Sequence, residues 1–94
     1  SEADRAAFAR DVGERVYFAL DSHELDARAR QVLSRQAAWL AARPGVSILI
    51  EGHADERGTR EYNLALGVRR AAAVRDYLVQ QGVGPARLDT ISYG

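Results

Sequence analysis

Residues Glu51 to Asn63, EGHADERGTREYN, join two opposite hydrophobic patterns. The run before them, Val46-Ser47-Ile48-Leu49-Ile50-Glu51, is apolar and β-branched and predicts a strand, covered on at least one face and with neighbours on both edges. The residues after them predict a helix to about Gln81, with Thr59 as its cap and Glu61 in the first turn, where the helix dipole favours an acid. Asn63 and Arg70 stand seven residues apart, which places them two turns apart on one helix face. A strand end facing a helix start is where α/β layers commonly keep a binding site.

Working outward, Asp26 to Ala42 predicts a second helix. Ala29, Val32, Leu33, Gln36, Ala37 and Leu40 recur at three and four, Trp39 flanks this stripe, and Pro44-Gly45 stops the helix. Ser22 or Asp26 can cap it. Val16 to Leu20 (VYFAL) reads as a short strand, and residues 1–15 as a lead-in arm, partly helical, with Phe8 and Val12 as anchors. Tyr62, Leu66, Ala73 and Tyr77, with Ala71, Val74 and Leu78 alongside, form the apolar side of the later helix, which Gly82 ends. Leu88 to Tyr93 alternates as a third strand. The order βαβαβ predicts an α+β two-layer sandwich: a small mixed sheet with two helices on one face, formed by residues 16–94.

The chain has 94 residues, enough for one domain with a thin core. Thirteen basic residues, all arginine, balance thirteen acidic ones, which argues against a general nucleic-acid binder. Cysteine is absent, so no disulfide or thiolate site exists and the redox compartment stays open. No apolar stretch approaches the ~20 residues of a membrane-spanning helix.

Each polar candidate has a plain reading and a sharper one. Asp55 is either a turn residue capping nearby N–H groups or a carboxylate for a ligand ammonium. Glu56 and Arg57 read as solvated charges, and Gly58 as a positive-φ turn residue. Gly67 costs about 1 kcal/mol of helix propensity, which either close packing or room for a ligand must offset. Arg70 is a surface arginine, a partner of Asp21 or Asp55, or a guanidinium fork for a ligand carboxylate. An aspartate and an arginine together would suit a zwitterion. His23 and His53 lack metal-ligand spacing, and His53 reads as ordering its loop. Asp21 with Asp55 could form a hydrolase dyad, but no activated nucleophile or raised pKa supports it.

Three stretches resemble the OmpA-like peptidoglycan-binding family and, within it, the peptidoglycan-associated lipoproteins of Gram-negative bacteria: VYFALDSHEL (Val16–Leu25), EGHADERGTREYNLALGVRRAAAVRDYL (Glu51–Leu78) and TISYG (Thr90–Gly94). The resemblance implies non-catalytic binding of the diaminopimelate-containing stem peptide of peptidoglycan, and anchoring of the outer membrane to the cell wall. It implies no cofactor. It puts the family's ligand-binding positions on Asp21, Ser22, Asp55, Asn63 and Arg70, with Arg70 gripping the diaminopimelate carboxylate. The loop from Glu51 to Glu61 is similar to the part that docks the TolB propeller, which implies partner-docking roles for His53, Glu56, Arg57, Thr59 and Glu61 in the Tol-Pal system of dividing cells. The implied location is the periplasmic side of the outer membrane, through a lipid anchor in the full-length protein.

The sequence departs from the family in three places. Ala19 and Leu20 stand where an aromatic and an acid are frequent, and Arg60 replaces a proline; neither change removes a candidate ligand residue. Family members also continue past the SYG residues into a last strand that lies between the first two. Without it, the Val46–Glu51 strand is expected to keep a bare edge, open to self-association or to cover by the lead-in arm.

Overall fold

The computed structural model describes residues 2–11 and 15–94. Its elements are helix α1 (Glu2–Asp11), helix α2 (Ala27–Ala41), strand β1 (Ile48–Gly52), helix α3 (Arg60–Gln80), a 3-10 turn (Pro85–Arg87) and strand β2 (Leu88–Ser92). Val12, one expected anchor of the arm, lies outside the described residues.

The local signals that bound these elements are visible in the hydrogen bonds. Asp26 caps α2 by accepting from the Ala29 N–H at 2.8 Å. Thr59 caps α3, accepting from the Tyr62 N–H at 3.0 Å. At the other end of α3, Gly82 takes φ 101°, the Gly82 N–H bonds to Val79 O and the Val83 N–H to Leu78 O. This doubly bonded left-handed cap needs glycine at Gly82 and buries Val83 beside Leu78.

β1 and β2 pair in parallel, Ile48 opposite Leu88 through Gly52 opposite Ser92. The two longer helices pack on one face of this small sheet, giving the two-layer α+β arrangement. Leu33 and Leu40 of α2 and Leu78 of α3 are fully buried, and they join Ala37, Ala71, Ile50 and Leu88 in one core. Each such leucine contributes about 1.5–3 kcal/mol. On the opposite face Leu49, Ile91 and Tyr93 are exposed.

The helix meets the sheet through glycines. A Cβ at Gly52 would overlap the Gly67 carbonyl, and a Cβ at Gly67 would overlap Ser92 Oγ and come within 3.0 Å of Gly52 O. Ser92 Oγ donates to Leu64 O at 2.8 Å across the same contact. Of the two readings of Gly67, close packing is therefore the one realised.

Three expectations are corrected. Val16–Leu20 is not a strand: residues 16–19 carry no regular structure and Leu20 lies in a turn. A strand exists only as one member of a ladder, and this segment has no strand partner among the described residues; Val16 packs against the core while Tyr17 and Leu20 point outward. For the same reason β1 has one neighbour, β2, rather than two. Trp39, beside the apolar stripe of α2, is buried, 7% exposed, because the Phe8 ring meets it edge-on at 5.2 Å and the Arg43 guanidinium lies 4.1 Å from its ring centroid. Tyr62 does not join the buried side of α3: it stands in the first turn of the helix and is exposed, on the wall of an open cleft rather than against the core.

Candidate functional site

The loop between β1 and α3 is shaped by Asn63, which is 9% exposed. Its side-chain amide donates to Asp55 O at 2.8 Å and Arg57 O at 3.0 Å, so one buried side chain fixes two loop carbonyls. Gly58 reverses the chain at φ 96°, a conformation that L side chains rarely adopt.

Arg70, two turns further along the same face of α3, is 8% exposed. Its Nε donates to Ser22 O at 2.8 Å, Nη1 to His53 O at 2.9 Å and Nη2 to Ala19 O at 3.1 Å. The Phe18 ring centroid lies 5.1 Å from its guanidinium carbon. A guanidinium buried in this way needs acceptors on its N–H groups, and here backbone carbonyls rather than Asp21 or Asp55 supply them. The Ser22 N–H bonds back to Ala19 O at 3.0 Å, closing a tight turn. Within that turn Asp21 takes φ 54°, left-handed backbone that aspartate tolerates better than most residues. Arg70 thus holds both ends of the turn that presents Leu20 and Asp21, and also the first residue after β1.

Between this turn and the Asn63-shaped loop lies a cleft of about 340 Å³, lined by Leu20, Asp21, Asp55, Arg57, Gly58, Tyr62, Asn63 and Leu66. Asp21, Asp55 and Asn63 are therefore brought together, and Arg57 joins them. Ser22 takes part through its carbonyl on Arg70, while its hydroxyl accepts from the Glu24 N–H at 3.0 Å. Arg70 stands behind the turn and does not line the cleft. Leu20, Tyr62 and Leu66 were not singled out as site residues; the only sequence signal for Tyr62 is its place three residues after the Thr59 cap.

His53, Glu56, Arg57, Thr59 and Glu61 are all exposed. The His53 ring stacks on Tyr93 at 5.4 Å, and its Nε2 lies 3.3 Å from Glu51 Oε1, so it orders the strand end from the solvent side. The Thr59 hydroxyl is engaged in the helix cap. A larger, shallower groove of about 570 Å³ between α2 and α3 is lined by Ala27, Arg30, Gln31, Ser34, Arg35 and Tyr77, and none of the candidate residues reaches it. Among the described residues no group of three or more His, Cys, Asp or Glu is placed to hold a metal ion.

Chemically, the cleft offers two carboxylates and one guanidinium at its rim, with apolar side chains between them. That combination suits a ligand bearing an ammonium and a carboxylate on an aliphatic stem.

The chain is 60% identical over 87 residues to the peptidoglycan-associated lipoprotein of Agrobacterium fabrum, covering 93% of this chain and 49% of that protein. It is 62% identical over 87 residues to the protein of the same description from Brucella melitensis, covering 93% and 52%. The chain thus spans about half the length of the curated relatives it matches. The crystal structure of the peptidoglycan-associated lipoprotein from Burkholderia pseudomallei superposes with a TM-score of 0.81 at 47% identity, over 84% of this chain and 67% of that one. The profile of the OmpA family runs over residues 17–94, through both cleft-forming loops to the end of the sheet, and the chain belongs to that family.

Proposed function

We propose that this domain binds the diaminopimelate-bearing stem peptide of peptidoglycan in the cleft beside Asp21 and Asp55, without cleaving it. The observation that carries this reading is the convergence of both carboxylates with Asn63 in one cleft, in a chain similar to proteins described as peptidoglycan-associated lipoproteins. The two carboxylates would take the ligand ammonium. Asn63, Ser22 and Arg70 would hold the two loops at the right separation, with Arg70 bringing positive charge close behind the turn. In the whole protein this would anchor the outer membrane to the cell wall from its periplasmic side, through a lipid anchor, with residues 1–15 as a lead-in arm to the binding domain 16–94.

Calorimetry with a diaminopimelate stem peptide and with its lysine analogue tests the reading. Tighter binding of the diaminopimelate peptide, with no new product on chromatography, is expected. Equal affinity for the two peptides would sink the claim that the extra carboxylate is read here.

A second reading is favoured by the exposure of His53, Glu56, Arg57, Thr59 and Glu61 on one loop. A TolB-like propeller would dock there through a polar, exchangeable interface and compete with the peptide for the cleft. Peptide binding that is unaffected by saturating propeller would remove this reading. The β1 edge that carries no strand partner among the described residues would also allow self-association; light scattering that stays monomeric at high concentration would refute it.

A further inference from the structure

The groove between α2 and α3 shares no lining residue with the cleft beside Asp21 and Asp55. We propose that it is a docking site for an acidic segment of a partner protein. The inference is independent of the stem-peptide reading.

The first observation is the charge on α2. The chain is neutral overall, yet α2 carries Arg28, Arg30 and Arg35 and no acid. Helix starts favour acids, and α3 follows that preference with Glu61 in its first turn. Arg28 and Arg30 stand near the start of α2, against its dipole. The nearby Asp26 carboxylate is engaged in the cap, accepting from the Ala29 N–H. These arginines therefore do not stabilise their own helix, and an anion seated beside them would offset the unfavourable placement.

The second observation is what the groove presents. It holds about 570 Å³, and no carboxylate is among the described residues that line it. Arg30 Nη1 donates to Leu25 O, which fixes that guanidinium near the helix start and leaves Nε and Nη2 to donate elsewhere. Ser34 Oγ and Tyr77 OH lie 3.2 Å apart. One of the two hydroxyls donates to the other, so the pair keeps one further O–H to give. With Arg35 and the Gln31 amide, the groove is a set of donors, and carboxylates are their complement. Binding to a lipid surface draws on inserted apolar side chains. Ala27 is the one aliphatic residue lining this groove, so an acidic peptide suits it better than a membrane.

Fluorescence anisotropy with a labelled hexaglutamate peptide tests the proposal. The parent should bind it, and more weakly as salt rises. Arg35→Gln should weaken binding by about fivefold, the scale of one exposed charge pair. The Arg30→Gln, Arg35→Gln double variant should lose about twentyfold, because independent contacts multiply. Both should melt with the parent. Arg69→Gln removes an exposed α3 charge outside the groove and should bind as the parent does. Amide shifts with hexaglutamate should centre on Gln31, Ser34 and Tyr77. A parent that ignores the peptide at low salt would overturn the proposal. So would an Arg69→Gln variant that loses as much as Arg35→Gln, or shifts centred away from the groove. Phosphatidylglycerol vesicles that bind through Arg30 and Arg35 while hexaglutamate does not would overturn it in favour of a lipid surface.

Discussion

Arg70 and Arg87 perform the same electrostatic task at opposite ends of β1. Each guanidinium bonds three backbone carbonyls. Arg87 reaches Val46 O at 2.8 Å, Leu40 O at 2.9 Å and Arg43 O at 2.6 Å, all within the connection that ends α2 and starts β1. Arg70 reaches His53 just past β1, and Ala19 and Ser22 in a segment with no regular structure. The Arg87 end is a closed seam: it satisfies carbonyls that the helix end leaves orphaned, and cationic charge there also suits the helix dipole. The Arg70 end joins two separate loops and leaves a cleft between them. An arginine bonded to carbonyls, half-buried at Arg87 and buried at Arg70, is structural in both places, and only Arg70 builds a site.

The comparison assumes that α3, which carries Arg70, is seated rigidly on the sheet. Gly67→Leu attacks that seat and should have the largest effect. The added side chain has backbone on its path, so a loss of about 3 kcal/mol is expected, a fall in Tm of more than ~10 °C for a chain of this size. Binding and folding should be lost together. A variant that melts with the parent would show that the glycine contact is not the seat.

Removing the two arginines separates the ends. Arg87→Ala should cost about 2 kcal/mol of stability, because carbonyls at a packed helix end lose their partner, while the peptide affinity of the folded fraction is unchanged. Arg70→Ala should cost less, about 1 kcal/mol, since the Ala19–Ser22 turn can turn its carbonyls to water. It should nevertheless weaken peptide binding by about tenfold or more through loss of the wall. Urea melts with parallel calorimetry check both; equal effects on binding would erase the distinction between seam and site.

The smallest effect is expected at Asp21. Asp21→Gly relieves the left-handed backbone and should leave stability unchanged or raised by up to about 1 kcal/mol. It should weaken the peptide several-fold by deleting one carboxylate. Thermal melts and calorimetry measure the two separately. Weaker folding with intact binding would mean that the Asp21 carboxylate serves the turn and not the cleft.

What could be read from the sequence divides along the same line, between local and non-local physics. Asp26 and Thr59 as caps, Pro44-Gly45 as a stop and Gly82 as a left-handed end all act within a few residues, and each stands where its chemistry indicates. Val16–Leu20 has the side chains of a strand, but a ladder needs a partner, and partners are not encoded locally. Trp39 lies beside the apolar stripe, and its burial depends on Phe8, more than thirty positions earlier. Asn63 and Arg70 were legible as two members of one helix face. That Asn63 would grip the loop, that Arg70 would bond three carbonyls and that Asp21 and Asp55 would line one cleft depended on where distant segments come to rest. Gly67 was legible as an anomaly, and only the sheet beneath it decides between its two explanations.

The most direct test of the account is an amide and arginine-Nε chemical-shift titration with the diaminopimelate stem peptide. The account predicts the largest changes at Leu20, Asp21, Asp55, Gly58 and Tyr62, changes also at the Arg70 Nε–H, and none around Arg87. Changes centred instead on the α2–α3 groove at Arg30, Ser34, Arg35 and Tyr77, with the Asp21–Asp55 cleft silent, would contradict it.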